Sequence, residues 1–389
     1  MLVRRYLFPD GFRTDFRYRC PVVGWLEGTV TALGRTWPGA QELTVRCGGD
    51  ANGDGDGERR ALAYPDLVGS PQVGDRVLVN ANAQALGLGT GGYALVVAIP
   101  DRLPAPAPTP PARHTSGHMV KARYTPLQTV VLGVDEQDSP HHELLRTADD
   151  LAAMPVVTAD LHSALPAVCA AILHDRPGTR IAYVMTDGGA LPLWFSRAVA
   201  GLRAADWLCG SITVGQAFGG DLEAVTLHTG LLAARHVLDA QIAVVCQGPG
   251  NLGTGTTWGF TGVACGEAVN AAAVLGGRPV GVLRVSEADP RERHRGLSHH
   301  SLTAYGRVAL AAADLALPEE SGAFWDGVRA QAAPLTARHR LHAVPTAGLD
   351  AALATSPVPL STMGRGTDRD RANFLAAAAA GRLAAAATR

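Results

Sequence analysis

The spacing of apolar residues divides the chain into two regions. From about residue 118 onward, short apolar runs of strand length alternate with longer stretches whose apolar positions recur at helical spacing. The runs expected to form strands are TVVLGV (129–134), RIAYVMT (180–186), SITV (211–214), QIAVVCQ (241–247), RPVGVLRVS (278–286) and, at a sheet edge, RLHAV (340–344). The stretches expected to form helices are 163–174, 191–205, 222–238, 260–276, 303–315 and an alanine-rich segment ending near residue 387. Strands alternating with helices predict an α/β fold, with a mostly parallel sheet covered by helices.

The preceding region has a different pattern. Between residues 21 and 100, five short segments of strand character are separated by turn residues, and the glycine- and aspartate-rich loop 48–58 suits the tip of a hairpin. Five strands in about eighty residues predict a small all-β barrel of the OB or SH3-like kind. Its few aromatic residues and its lack of a dense basic face favour a docking or oligomerisation module over an oligonucleotide-binding one.

A proline-rich segment separates the two regions. The segment LPAPAPTPPARH contains five prolines and no periodicity, which is typical of a stiff, extended linker. The sequence therefore predicts four parts, namely an extension (1–20), the barrel (21–102), the linker (103–116) and the α/β domain (117–389). The extension interleaves arginine with aromatic residues, a combination that can stack on nucleic-acid bases, although a terminal arm without that function is the favoured interpretation.

Composition narrows the classes of function. The 389 residues carry 34 basic and 35 acidic side chains, so no global positive field attracts nucleic acid or anionic lipid. Apolar residues make up 47% of the chain, yet no apolar run approaches the roughly 18 residues of a membrane span. No signal peptide is recognisable, and six scattered cysteines suit reduced thiols, so we expect a soluble, cytoplasmic protein. Lys121 is the only lysine among the basic residues. A lysine can form an imine or contact a phosphate, which an arginine does less readily. The favoured interpretation, however, is an ordinary lysine on the surface.

Candidate chemistry lies in the segments that follow the predicted strands, because ligands bind at the carboxyl ends of parallel strands. The longest of these segments, GPGNLGTGTTWG (248–259), can present backbone N–H groups to an anion, although its match to a dinucleotide fingerprint is weak. The predicted ligand-binding residues are Asp187, Gly248, Gly250, Asn251, Gly253, Thr254 and Gly255.

Three histidines are candidates for catalysis. His162 precedes a predicted helix that has Ser163 as its N-cap, and His299 and His300 follow the predicted strand 278–286. Imidazole can transfer protons at neutral pH or bind a metal, and Asp160 could join these three histidines around an ion. No self-sufficient metal motif is present, so the metal and any cofactor are left open. His228 lies on an apolar helical stripe, which predicts a buried side chain instead.

Three segments carry a resemblance to a known family. GHMVKARYTPLQ (117–128), GLSHHSLTAYG (296–306) and MGRGTDRDRANFLAAAAAGR (363–382) resemble a family of uncharacterised two-domain proteins of high-GC bacteria, known only as a domain of unknown function. The resemblance covers the chain from about Gly28 to Arg382. It implies no catalytic residue, and the aromatic start of the chain lies outside it.

Two kinds of function fit these observations. The first is binding of a small anionic or phosphorylated metabolite at the carboxyl edge of the sheet, with histidine acid–base or metal chemistry if the protein is an enzyme. The alternative is a non-catalytic interaction protein that forms homo-oligomers and docks a partner through its barrel. We expect a homo-oligomer, and neither a membrane nor a nucleic acid as partner.

Overall fold

The architecture is taken from a computed structural model, which describes residues 23–48, 57–104 and 117–388. The predicted extension, most of the proline-rich linker and most of the loop 48–58 lie outside the described residues. Where the structure describes the chain, no helix is long and apolar enough to cross a membrane.

The N-terminal part is a closed five-stranded barrel, as predicted. Its strands are joined in the order β1-β2-β3-β5-β4, and β3 and β5 form the one parallel pair. Alternate side chains, including Val30, Val45 and Val77, fill the interior, and closure pairs the strand edges that an open sheet would expose. The bounds are β1 (Trp25–Trp37), β2 (Ala40–Cys47), β3 (Gly57–Ala63), β4 (Arg76–Asn80) and β5 (Ala94–Ala98), with short helices α1 (Pro65–Val68) and α2 (Asn82–Ala85).

The second part is built on one eight-stranded sheet in which every strand pair is parallel. Its order is β11-β10-β9-β12-β8-β13-β16-β17. These strands are β8 (Pro155–Thr158), β9 (Ile181–Thr186), β10 (Gly210–Thr213), β11 (Leu222–Glu223), β12 (Ile242–Gln247), β13 (Arg278–Val282), β16 (Asp314–Pro318) and β17 (Arg340–Val344). Two hairpins lie outside it, formed by β6 (Met119–Lys121) with β7 (Thr129–Val131) and by β14 (Val285–Ser286) with β15 (Gly296–Leu297). The predicted α/β class is confirmed.

Helices cover both faces of this sheet. Successive strand residues alternate between the two faces, so that Val156 belongs to one hydrophobic cluster and Val157 to the other. The helices are α3 (His142–Leu145), α4 (Leu165–Asp175), α5 (Arg197–Ala204), α6 (Leu227–His236), α7 (Ala264–Val274), α8 (His299–Thr303), α9 (Ala323–Ala332), α10 (Leu349–Ala354) and α11 (Arg371–Ala387). All eight strands therefore end at the same edge of the sheet, where their following loops converge.

Several predicted elements differ from the structure. The run 129–134 forms only the short hairpin strand β7, and the predicted helix 303–315 was wrong. There α8 continues as a π-helical turn, Ala304–Val308, and the chain then enters β16. The sequence analysis also missed β8, which lies between β12 and β13 in the sheet.

The barrel contacts the α/β part through Trp194. The indole N–H of Trp37 donates to the Trp194 carbonyl over 2.6 Å, and the Trp194 ring lies 6.1 Å from the Tyr64 ring. Cβ atoms built at Gly39 and Gly219 would lie 2.2 and 2.7 Å from the Trp194 ring, so both glycines permit its close approach. A tryptophan between two glycine backbones thus joins the two parts of the molecule.

Helix α11 packs on α4 and covers β8, β13 and β16. Most of its alanines are buried, and a Cβ at Gly381 would lie 2.4 Å from the Val168 carbonyl oxygen. Small side chains therefore let the two helices approach closely.

Replacing Gly381 by alanine should destabilise the protein by about 1–3 kcal/mol, because the new methyl group has to displace the backbone of α4. Gly327→Ala is the matched control, since Gly327 lies in the exposed interior of α9 with open space around its Cβ. This control should gain about 0.5–1 kcal/mol from helix propensity. Urea denaturation of both variants measures the difference, and equal effects would contradict close packing at Gly381.

Candidate functional site

Two of the predicted segments come together at the carboxyl edge of the sheet. Phe260, which directly follows the glycine-rich loop, stacks on the His300 ring with centroids 3.7 Å apart and an interplanar angle of 4°. A Cβ at Gly255 in the loop would lie 3.5 Å from Nη2 of Arg293. The loop 248–259 and the histidine segment therefore lie next to each other.

The hairpin β14–β15 positions the histidine segment. After β13 the chain forms this hairpin. Val285 of β14 pairs with Leu297 of β15, and this pairing brings the chain back to the edge of the sheet. Ser298 then caps α8 by accepting a hydrogen bond from the His300 amide over 3.2 Å. His299 and His300 are consequently the first two residues of the helix.

A third histidine joins them. His294 lies four residues before the cap Ser298, on the other side of β15, and one ring nitrogen from each of His294, His299 and His300 lies within 4.8 Å of the others. These three residues are called the histidine cluster below. The sequence analysis missed His294, although its position five residues before a His-His pair was a visible signal.

Polar groups contact two of the three rings of the histidine cluster. Nδ1 of His294 is 2.7 Å from the Ser298 hydroxyl, and Nδ1 of His300 is 3.3 Å from Oδ2 of Asp160. In contrast, Nε2 of His299 is buried and has no hydrogen-bond partner among the described residues. Burial lowers the pKa of His294 to about 3 and that of His299 to about 4. Both rings are therefore neutral at pH 7, which favours metal ligation over proton transfer.

Asp160 connects the cluster to the rest of the edge. This buried carboxylate follows β8 and pairs with Arg284 over 3.5 Å as well as with His300. Burial opposes ionisation, but the hydrogen bond from His300 and the charge of Arg284 hold the pKa of Asp160 below its usual value. Asp160 therefore remains an anion beside the His300 ring.

A buried ionic network extends from Arg284 to the C-terminal segment. Arg284 lies 3.9 Å from Asp289, which also pairs with Arg365, and Arg365 donates to Asp370 over 3.0 Å. The Asp370 carboxylate accepts from the hydroxyl of Ser286 in β14. This network fastens the segment before α11 to the hairpin that positions the histidine cluster.

The predicted loop residues divide into two groups. Gly248 is buried, and a Cβ there would lie 2.6 Å from the Ala190 carbonyl oxygen. Oδ1 of Asn251 accepts hydrogen bonds from Gln247, Thr261 and the Gly262 amide, and so fixes the loop to the start of the following helix. The second group, which is exposed to solvent, consists of Gly250, Gly253, Thr254 and Gly255.

The other two predicted residues lie apart from the cluster. Asp187 is exposed and accepts a hydrogen bond from the Gln216 amide over 2.8 Å. His162 has partners at both ring nitrogens, Tyr183 at 3.1 Å and Ser196 at 2.7 Å, and Ser196 caps α5. Burial lowers the pKa of His162 to about 4. Ser163 does not cap the helix that it precedes, because its hydroxyl donates to Thr362 instead.

Space at this edge is limited beneath the loop. A cavity of about 10 Å³ lies there, lined by Gln247, Thr186 and Thr261 among others, which is room for about one water molecule. A larger groove of about 510 Å³ lies elsewhere, between α10 and the start of α11, and includes none of the predicted site residues. A metabolite at the predicted site would thus bind on the exposed face of the loop.

Lys121 is not on the surface, which corrects the favoured interpretation of the sequence. Its side chain is fully buried, and its ammonium group donates to the carbonyls of Ala217 and Ala224 and pairs with Glu223 at 3.4 Å. Burial lowers the pKa of Lys121 and raises that of Glu223. The lysine therefore joins the β6–β7 hairpin to the sheet edge.

The prediction for His228 was wrong. Its side chain was expected to be buried, and it is exposed.

These features define an α/β protein with an N-terminal barrel and a histidine-rich site at the carboxyl edge of its sheet. The chain belongs to the family described as "Protein of unknown function (DUF3866)", whose model matches residues 60–381. The predicted family resemblance is confirmed, although the matched range begins inside β3, later than expected. No curated protein and no solved structure matches the chain.

Lys121→Met should destabilise the protein by about 3–5 kcal/mol, because it leaves the Glu223 carboxylate buried without its cation. Adding Glu223→Gln to this variant removes the buried charge and should recover much of the loss. The free energy of unfolding in urea measures both effects. A loss below about 1 kcal/mol in the single variant would show that the pair does not hold the hairpin.

Proposed function

We propose that the protein binds a small anionic metabolite at the carboxyl edge of the sheet, between the exposed part of the glycine-rich loop and the histidine cluster. The observation that carries the proposal is the stacking of Phe260, directly after the loop, on His300, with Arg293 lying beside Gly255. The sequence analysis selected each segment separately, the loop for anion binding and the histidine pair for catalysis or metal binding.

The exposed loop supplies groups that suit an anion. Gly250 and Gly255 adopt positive φ angles of 94° and 80°, a backbone region that other residues rarely enter. The loop also carries the hydroxyls of Thr254 and Thr256, which lie 3.1 Å apart. Backbone amides and hydroxyls gathered on a glycine-rich turn are typical partners of phosphate or carboxylate oxygens.

Positive charge lies on the same side. Arg293 is exposed beside Gly255, and the Arg307 guanidinium lies 4.3 Å above the Trp258 ring in the loop. Within the described part of the chain, neither arginine forms an ion pair with a carboxylate. Both guanidinium groups therefore remain available to an anion, while the buried Arg284 is engaged by Asp160 and Asp289.

Arg293→Ala should weaken anion binding by about 10-fold to 100-fold, the usual contribution of a charge-assisted hydrogen bond. The assay is a thermal-shift titration with inorganic phosphate, followed by phosphorylated and carboxylated metabolites, because a ligand of the folded state raises the melting temperature. Arg295→Ala is the matched control, since Arg295 is also exposed, lies two residues away and, within the described residues, is not beside a glycine of the loop.

Two results would contradict the proposal. One is a melting temperature that no anion in the series raises. The other is an equal loss of binding in the Arg293 and Arg295 variants, which would indicate nonspecific charge attraction. Either result would favour the alternative of a non-catalytic interaction protein, for which sedimentation of the purified chain is the next measurement.

A further inference from the structure

We propose that His294, His299 and His300 bind one divalent transition-metal ion, of the class that takes three imidazole ligands. This inference deepens the proposed function and rests on it for the ion's role, which is to receive an anionic oxygen of the bound metabolite. The first support is the convergence of one ring nitrogen from each residue within 4.8 Å.

The geometry needs only a small adjustment. A tetrahedral zinc ion with Zn–N bonds of about 2.0–2.1 Å holds its ligand nitrogens about 3.3 Å apart. Side-chain rotations would have to shorten separations of up to 4.8 Å to that value, and among the described residues His299 has no hydrogen bond at Nε2 that such a rotation would break. A buried imidazole nitrogen without a partner is costly in a folded protein, and a metal ion satisfies it.

Hydrogen bonds orient the other two rings as metal sites require. Nδ1 of His294 is 2.7 Å from the Ser298 hydroxyl, and Nδ1 of His300 is 3.3 Å from Oδ2 of Asp160 and 3.1 Å from Nη1 of Arg284. In the tautomer with a proton on Nδ1, His300 donates to Asp160, and its Nε2 is left for an ion. A carboxylate that accepts the second ring N–H of a ligand histidine is the usual support of such sites. Phe260 fixes the His300 plane by stacking.

Charges of both signs lie near the cluster. The guanidinium of Arg284 lies 3.1 Å from Nδ1 of His300 and opposes a second positive charge. Asp160 pairs with Arg284 and offsets that charge, whereas Asp289 is shared by Arg284, Arg291 and Arg365. The carboxylate that supports a cation at the cluster is therefore Asp160. Three protein ligands would leave one coordination position open for an anionic oxygen.

The test is direct measurement of metal binding by the full-length protein. Chelator-treated protein is titrated with Zn²⁺ alone by calorimetry, its metal content is measured by mass spectrometry, and Co²⁺ serves as a spectroscopic probe of tetrahedral nitrogen coordination. We expect one ion per chain in the wild type and in His228→Ala, whose exposed histidine controls for surface binding. His299→Ala should bind Zn²⁺ about 100-fold more weakly or worse.

His299 is the informative position because its Nε2 has no hydrogen bond to lose. The metal-free His299→Ala variant should therefore keep a melting temperature close to that of the metal-free wild type. Asp160→Asn provides a second variant and should lower affinity by about 10-fold to 100-fold while the stoichiometry stays at one. Absence of Zn²⁺ binding in the wild type, or equal binding in His299→Ala, would overturn the inference.

The outcomes separate this inference from the proposed function. If Zn²⁺ binds at one per chain but no anion changes the melting temperature of the loaded protein, the metal site stands and the proposed function fails. If anions raise the melting temperature but the wild type binds no Zn²⁺, the proposed function stands and the metal inference fails.

Discussion

The carboxylate of Asp160 holds the carboxyl edge of the sheet together. Its side chain bonds His300 and Arg284, and its backbone carbonyl accepts from Gln247, which in turn holds Asn251 in the glycine-rich loop. A buried carboxylate is tolerated only with such partners, because losing them leaves an uncompensated charge in the protein interior. The carboxylate of Asp160 therefore fixes the hairpin and the histidine cluster, and its backbone carbonyl fixes the glycine-rich loop through Gln247.

The parallel sheet explains why these segments meet. Asp160 and His300 are 140 positions apart in the chain, yet each follows one of two neighbouring strands, β8 and β13. Because all eight strands run in the same direction, loops distant in sequence share one edge. Helices on both faces leave that edge as the place where polar side chains can gather without burial beneath a helix.

Much of the fold could be predicted from local pattern, and the exceptions have physical causes. The run 241–247 is rich in β-branched residues and forms a strand as expected. β8 is only four residues long and begins at a proline, so its strand signal was too short to detect. β16 contains the sequence DLALP, whose strand propensity is low, and it is a strand because it is paired on both sides. The pairing of β16 with its neighbours therefore determines its secondary structure, and the pattern of a single sequence does not show that pairing.

The sequence was sufficient to predict which segments form the candidate site, but not which side chains in them contact one another. Position after a strand was sufficient to select the loop 248–259 and the pair His299 and His300. It could not show that His162 has two partners of its own, nor that His294 returns to the cluster through a hairpin of two-residue strands. Lys121 shows the same limit, since the need to bury one cation between two carbonyls and a carboxylate arises only in the folded structure.

The position of α11 in the chain has a consequence for biosynthesis. This helix covers β8, β13 and β16, yet it follows all of them in sequence. During translation the ribosome releases these strands before α11, so the part of the sheet that α11 covers stays open to solvent until the alanine-rich helix has been made. The α/β part can therefore complete its apolar core only after synthesis has passed residue 387.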